Sequence, residues 1–227
     1  MSTDKRSSGW TMKKIVRPQS MALIMAAQIR ELIVNGDIEL GALLSENDIA
    51  SKLQVSRTPV REALQKLETE RLVQIIPQRG TFVFDFNEQE MRQTCKMREI
   101  LESGALDIAL ARDRSGLIAA LEMHLEQGRT AMNSDPDAFR AADAAFHMAL
   151  IEFSQNRDLI DAYHNIINRI RALLNRLARS NDELAGSQSD HEDIVSLLRE
   201  GRDAAADERL RWHVGGLLRM FREKHVS

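Results

Sequence analysis

The sequence predicts a mainly α-helical protein that combines an N-terminal winged helix-turn-helix, with a two-stranded wing, and a C-terminal all-helical bundle of about six helices. Three observations support this fold class. Hydrophobic residues make up 43% of the 227 residues, which is enough for a packed core. The segment before Phe84 combines helical periodicity with one hairpin pattern. After Phe84, Pro136 is the only proline, and helical periodicity dominates.

Charge is distributed unevenly along the chain. Residues 1–84 contain 12 Lys and Arg against 9 Asp and Glu, whereas the remainder contains 19 against 25, for a net charge of −3. A mildly basic N-terminal part followed by an acidic remainder is typical of a nucleic-acid-binding domain fused to a domain with another function. The chain divides into a mobile arm over residues 1–18, a winged helix-turn-helix over 19–84 and a helical domain over 85–227.

Cysteine usage and apolar runs predict the cellular compartment. Cys95 is the only cysteine, which excludes an internal disulfide and fits a reducing cytoplasm. The basic residues near the N-terminus are not followed by an apolar stretch, as they would be in a signal peptide. No apolar run approaches the ~18 residues that a membrane span needs. We therefore expect a cytoplasmic protein with no membrane partner.

The first two helices are predicted from periodicity and capping residues. Helical periodicity begins at Ser20 and ends at Asn35-Gly36, where a left-handed glycine would terminate the helix. Ser45 is a candidate N-cap for a second helix over about Glu46–Leu53, with Asp48 three residues after it.

A third helix and a hairpin complete the N-terminal part. Ser56 is a candidate N-cap for the third helix, which runs to about Arg71. Two β-prone runs, Val73–Ile76 and Thr81–Phe84, flank the turn Pro77–Gly80, a pattern that predicts a β-hairpin.

The rest of the chain is predicted to be helical throughout. Breaks are expected at Asp113–Ser115, Asn133–Pro136, Gln155-Asn156, Gly186 and Gly201. They separate helices over residues 87–111, 115–133, 136–154, 157–182, 188–200 and 203–224.

Candidate DNA-contacting residues lie at the start of the third helix and at the wing tip. Arg57 and Arg61 are one turn apart at the end of a recognition helix that enters the major groove, where a guanidinium can bind guanine or phosphate. Ser56 and Thr58 offer hydroxyl groups to a phosphate at the same helix end. Arg79-Gly80 brings a cation to the minor groove. The alternative is that these arginines only solvate a helix surface.

This segment resembles the GntR family of bacterial regulators over residues 20–84. The resemblance rests on Leu44-Ser45-Glu46, on Val55-Ser56-Arg57-Thr58-Pro59-Val60-Arg61-Glu62-Ala63-Leu64, on Leu67 and Leu72, and on Pro77-Gln78-Arg79-Gly80. It implies operator binding through the residues named above. One departure is Arg71, where the family usually has glycine just after the recognition helix.

The histidines suggest a metal site in the C-terminal part. Asp143 and His147 are one helical turn apart, so both side chains point the same way and can chelate one divalent ion. His191 and His213, from two further helices, could complete a site with three histidines and one carboxylate. Alone, this spacing is more often a surface cap or a hydrogen bond.

A second resemblance, over residues 90–222, is to the C-terminal ligand-binding domain of the FadR-like branch. It rests on Arg98–Glu102, Asp143 with Phe146-His147, His191-Glu192 with Ile194, Ala204–Ala206 and Trp212-His213. In metal-containing members one Asp and three His bind a divalent ion, commonly zinc or nickel. The matching positions are Asp143, His147, His191 and His213, whereas His124, His164 and His225 match no ligand.

The resemblance also implies a small-molecule site beside the ion. A metal with three histidines keeps coordination positions that an effector carboxylate can fill, and Arg98 matches the family's arginine as an opposing charge. The alternative for Arg98 is a surface ion pair with Glu102.

These features together predict a homodimeric repressor that binds palindromic operator DNA and is controlled by a small organic acid. Two alternatives stay open: a regulator that senses the metal directly, and a helical metalloenzyme with a nucleic-acid module. No Glu or His is placed by motif as a general base, so we expect no enzyme activity. A metal-storage protein or a metalloenzyme would not need Arg57 and Arg61, so these two arginines favour a DNA-binding regulator.

Overall fold

The computed structural model describes residues 20–132, 134–178 and 180–225. The predicted arm over residues 1–18 lies outside this range. None of the helices in the described range is both long and apolar enough to cross a membrane.

The N-terminal part, here called the head (residues 20–84), contains three helices and a small sheet. Its helices are α1 (Met21–Asn35), α2 (Glu46–Leu53) and α3 (Arg57–Thr69), and its strands are β1 (Leu43–Leu44), β2 (Val73–Ile76) and β3 (Gly80–Val83). The sheet is antiparallel with the order β1-β3-β2, so the predicted two-stranded wing gains a third strand. A strand of two residues is too short to show periodicity in the sequence.

The termini of the head helices follow the expected chemistry with one exception. Gly36 ends α1 with φ +89°, and the Ser45 hydroxyl accepts a hydrogen bond from the Asp48 amide at 3.2 Å. Ser56 precedes α3 but its side chain makes no capping hydrogen bond, contrary to prediction. Arg71 has φ +56°, a left-handed conformation that glycine adopts more readily than arginine, which fits the glycine that the resemblance leads us to expect there.

The C-terminal part, here called the body (residues 88–225), is a bundle of helices. The helices are α4 (Glu88–Ala131), α5 (Pro136–Phe153), α6 (Arg157–Leu177), α7 (Asn181–Arg199), α8 (Asp203–Val214) and α9 (Gly216–His225). The first two predicted helices are merged into α4, which is kinked where a break was expected. Asp113 is non-helical there, and its carboxylate accepts a hydrogen bond from the Gly116 amide at 2.9 Å.

Three predicted boundaries in the body are wrong. Helix α6 ends at Leu177, five residues before the predicted end at residue 182. Helix α7 begins seven residues earlier than expected and continues through Gly186, because a capping box between Ser180 and Glu183 starts it. Buried side chains at Leu184 and Gln188 then favour the helix on both sides of the glycine. The last predicted helix is divided, with α8 ending and α9 beginning at Gly215.

Head and body share packing through α6. The head core is built from α1, α3 and the sheet, and includes the fully buried Ala172 of α6. The Asn175 side chain donates a hydrogen bond to the Val34 carbonyl at 2.9 Å, and Arg176 donates one to the Ile38 carbonyl at 2.7 Å. The end of α1 is therefore held directly against the body.

Candidate functional site

Four predicted ligands come together inside the body. Asp143 and His147 lie on α5, His191 on α7 and His213 on α8, with one ligand atom of each within 4.8 Å of all the others. His147 and His191 are buried, and the other two are partly exposed. Three helices thus contribute side chains to one cluster, and Asp143 and His147 point the same way from α5, as their spacing predicted.

The three imidazole Nε2 atoms form a nearly equilateral triangle. Nε2 of His147 lies 3.1 Å from that of His213 and 3.2 Å from that of His191, and the third edge is 3.1 Å. Phe146 stacks on the His191 ring at a centroid distance of 4.0 Å and fixes its orientation. The nearer Asp143 oxygen lies 3.8 Å from the His191 Nε2 atom.

Carboxylates behind two of the rings set their tautomers. His147 Nδ1 donates to a Glu102 oxygen at 2.8 Å, and His213 Nδ1 donates to an Asp190 oxygen at 3.0 Å. A neutral imidazole that donates through Nδ1 has only a lone pair at Nε2. When both rings are neutral, the edge between His147 and His213 joins two lone pairs, which repel each other unless a cation lies between them.

The donor set fits a divalent ion. Nitrogen atoms at ~2.1 Å from one ion are roughly 3.0 Å apart in octahedral and roughly 3.4 Å apart in tetrahedral coordination. The observed edges of 3.1–3.2 Å fall between these values. Carboxylates that accept from the second ring nitrogen are the usual partners of metal-binding histidines.

Burial keeps two of the histidines in the neutral form that a metal requires. Desolvation lowers the pKa of His147, although the charge of Glu102 opposes this effect. Desolvation and the neighbouring histidines hold the pKa of His191 well below its ordinary value. Both imidazoles are therefore available as ligands at neutral pH.

Glu102 is the centre of the hydrogen-bond network behind the cluster. Its carboxylate accepts from Arg98 at 2.6 Å, from the Tyr163 hydroxyl at 2.8 Å and from His147. Burial alone would raise the pKa of Glu102, but the charge of Arg98 and the hydrogen bonds from His147 and Arg98 outweigh it and hold that pKa well below its ordinary value. The Arg98–Glu102 pair considered from the sequence does form, yet it is buried rather than on the surface.

Two cavities adjoin the cluster from different sides. One of about 440 Å³ is lined by Asp143 and His147, and another of about 260 Å³ is lined by Asp143 and His213. Arg98 and Arg140 line both cavities. The site can therefore accommodate an organic anion, because two guanidinium groups and the cluster border the same spaces.

The candidate DNA-reading residues lie on the exposed side of α3. Ser56, Arg57, Thr58 and Arg61 are all exposed. Glu46 of α2 joins the two arginines, since it accepts from Arg57 at 3.1 Å and from Arg61 at 2.9 and 3.1 Å. On the opposite side, the buried residues Val60, Leu64 and Leu67 attach α3 to the head core.

The tip of the wing is a tight turn. Arg79 is exposed, and its amide donates to the Ile76 carbonyl at 3.0 Å. Gly80 has φ +115°, which an L side chain rarely adopts. Beyond the turn, Leu43 of β1 packs within 2.8 Å of where a Cβ on Gly80 would lie.

Sequence reasoning did not assign the roles of three acidic residues, namely Glu46, Glu102 and Asp190. Glu102 had a detectable signal, because it lies within the apolar stripe of α4 between buried Leu101 and Ala105. Glu46 and Asp190 gave no such signal, since single acidic residues on amphipathic helices are ordinary. Of the other histidines, His124 contacts Gln127 and His164 is exposed, while the side chain of His225 lies outside the described part.

Two family models match the chain. Residues 24–83 match the bacterial regulatory proteins of the gntR family, and residues 93–216 match the FCD domain. The two matches cover the head and most of the body.

Individual proteins agree with these matches. The HTH-type transcriptional repressor RspR of Escherichia coli strain K12 is 32% identical over 193 residues, covering 80% of this chain and 79% of the relative. A GntR protein of Rhodococcus sp. RHA1 has the same fold, with a TM-score of 0.74, 24% identity and coverage of 89% and 98%. The metal-free FCD domain of another regulator matches with a TM-score of 0.53 and 20% identity, over 60% of this chain and 94% of that one.

Proposed function

This chain belongs to the gntR family of bacterial regulatory proteins, and from that premise we propose that it is a repressor controlled by a small carboxylic acid bound at a metal centre. It is a DNA-binding transcriptional regulator with an FCD domain, not an enzyme.

The observation that carries the proposal is the triangle of Nε2 atoms in the body. Asp143, His147, His191 and His213 would hold one divalent ion, with zinc or nickel favoured by imidazole and carboxylate donors. When bound, the ion supplies a positive charge that neutralises the converging lone pairs and attracts a carboxylate.

The effector is proposed to bind in the cavities beside this centre. Arg98 and Arg140 border both cavities, and a guanidinium is well suited to a carboxylate because it can donate two parallel hydrogen bonds. A direct metal sensor would need no cavity of about 440 Å³ next to the ligands, so we favour an organic effector.

The head is proposed to read a palindromic operator as one half of a homodimer. Arg57 and Arg61 would contact bases in the major groove, while Ser56 and Thr58 would contact phosphates and Arg79-Gly80 the minor groove. Two copies related by a two-fold axis would double these few contacts.

Elemental analysis of the full chain, purified without chelator, tests the metal centre. We expect about one zinc or nickel ion per chain, a loss of metal in His191→Ala and no loss in His164→Ala, which changes an exposed histidine of α6. A wild-type protein without metal would contradict the assignment.

A binding assay tests the link to the effector. On an operator selected from a random duplex library, organic acids should release the wild type but not His191→Ala, whose operator affinity should be retained because the head is unchanged. A normal response in the His191 variant would leave the ion, if present, as a structural element only.

A further inference from the structure

We propose that the effector cavity is completed by the head, and that Asn35 and Asp37 contact the ligand directly. This inference rests on the proposed function, because it concerns the ligand held beside the metal centre. It goes further by assigning two ligand-binding residues to the DNA-binding part. It also predicts a hydrogen-bond donor, such as a hydroxyl or amine, on the ligand's end away from its carboxylate.

The walls of the larger cavity come from both parts of the molecule. On the body side, Arg98, Asp143 and His147 form the end next to the metal centre. On the head side, Asn35, the last residue of α1, and Asp37, in the loop that follows, form part of the same lining. One ligand in this space can therefore touch the metal centre and the head together.

The polar groups of the two head residues are available to a ligand. Among the described residues, neither the Asn35 amide nor the Asp37 carboxylate has a hydrogen-bond or ion-pair partner, and both residues are exposed. By contrast, Asp137, another acid in the lining, already accepts a hydrogen bond from Arg140 at 3.0 Å. An unpaired acceptor in a cavity wall selects a ligand that donates to it.

The loop that carries Asp37 is fixed in position on the body. Arg176 holds the Ile38 carbonyl at 2.7 Å and Asn175 holds the Val34 carbonyl at 2.9 Å, so the loop is anchored on both sides of Asp37. Asn175 also lines the cavity. A preorganised acceptor loses little freedom when a ligand binds, which favours direct recognition.

The chemistry of the two ends defines the ligand class. The end near Arg98 and the metal centre suits a carboxylate. At the other end Asp37 faces the cavity together with Arg171, and Arg171 already pairs with Glu31 of α1 at 4.0 Å, so among the described residues Asp37 is the unpaired group that a ligand donor can reach. A monocarboxylic acid with a hydroxyl or amine at its far end satisfies both walls. The expected ligand is thus a hydroxylated or aminated acid rather than a plain fatty acid.

Calorimetry on the zinc-loaded full chain tests the inference. The probes are xylonate, gluconate, galactonate and glucuronate, each compared with the unhydroxylated acid of equal length, pentanoate or hexanoate. We expect the best hydroxylated probe to bind wild type at least 10-fold more tightly than its unhydroxylated counterpart. Asp37→Asn should remove about 10-fold of that affinity and change the counterpart less than 2-fold. Glu39→Gln, an exposed residue of the same loop outside the cavity lining, is the matched control and should change neither.

The other possible results separate failure of the head contact from failure of the effector site itself. If Asp37→Asn binds the hydroxylated probe like wild type, or weakens both acids equally, direct contact by the head is overturned while the metal-centred effector site stands. Hydroxylated and unhydroxylated acids of equal affinity in wild type would overturn it as well. If no acid binds wild type, the proposed function fails and this inference fails with it.

Discussion

At the scale of single residues, Glu102 connects the metal centre to the interior of the body. Its carboxylate is 0% exposed, and its three hydrogen bonds reach Arg98, Tyr163 and His147. A buried carboxylate is stable only when it is paired and hydrogen-bonded. Arg98, 3% exposed, depends on the same pairing, so neither charge can be removed without leaving the other uncompensated.

We predict that Glu102→Gln weakens both metal binding and folding. Loss of the carboxylate behind His147 should lower metal affinity 10- to 100-fold, as estimated for outer partners of metal ligands. Because Arg98 loses its buried counter-charge, the free energy of unfolding of the metal-free protein should fall by about 3–5 kcal/mol. Chelator competition and urea denaturation measure the two effects.

Glu126→Gln serves as the control for this variant, since Glu126 is an exposed residue of the same helix that pairs with Arg129. It should leave both quantities nearly unchanged. A Glu102→Gln protein with wild-type metal affinity would show that the negative charge behind His147 has no part in the site.

At the scale of elements, α2 and α3 form one DNA-facing unit. Glu46 of α2 holds Arg57 and Arg61 of α3 in a common orientation before DNA arrives. The hydrogen bond from Arg61, together with that from Arg57 and the charges of both arginines, lowers the pKa of Glu46, so it stays ionised. When Arg57 or Arg61 binds a base or a phosphate, it must either keep its contact with Glu46 or exchange that contact for the DNA group.

We predict that Arg57→Ala and Arg61→Ala each weaken operator binding by about 1–3 kcal/mol, because each removes a guanidinium from the major groove. Arg79→Ala, at the wing, should have a smaller effect and reduce the salt dependence. Gel-shift titrations at several salt concentrations measure both.

Arg92→Ala provides the comparison for the DNA-binding variants, since Arg92 is exposed on α4, outside the head, and pairs with Glu88 of the same helix. It should bind operator like the wild type. Wild-type affinity in both α3 variants at physiological salt would refute α3 as the reading helix.

Elements with strong local signals could be predicted from the sequence, and those determined by distant contacts could not. Helix α2 has the predicted bounds because Ser45 and the left-handed Gln54 define it locally. The start of α7 was missed because Gly186 was given more weight than the capping box at Ser180.

The positions of the four metal-site residues were available from spacing and resemblance. The apolar stripe around Glu102 indicated that it is buried, but the ion pair with Arg98 was interpreted as a surface contact, because an i, i+4 pair looks the same in sequence whether it is buried or exposed.

At the scale of the whole molecule, one face of α4 is suited to pairing with a second copy. Met97, Ile100 and Ile108 lie on one side of the helix with Gly104 between them, and all three apolar side chains are exposed. Ile100 is 55% exposed. A two-fold interface pairs a patch with itself, and an apolar stripe with a small central residue allows two helices to approach closely.

We predict that Ile100→Glu converts a dimer into a monomer, because it brings two like charges together across the two-fold axis. Light scattering of the full chain at micromolar concentration measures the mass, and operator affinity should fall together with it. Met123→Glu, also on α4 but outside the stripe, changes an equally exposed apolar residue and should stay dimeric. A dimeric Ile100→Glu protein would place the interface elsewhere.

The position of Ala172 has a consequence for the order in which the chain is made. Ala172, which completes the head core, follows β3 by almost 90 positions in the sequence. A ribosome therefore synthesises the whole head well before it synthesises this last core residue. At about 5–20 residues per second, the interval is roughly 4 to 18 s. During this time the side of α1 that later meets α6 is open to solvent and to chaperones. Translation speed through α4 and α5 therefore sets how long a nascent regulator is exposed to misassembly.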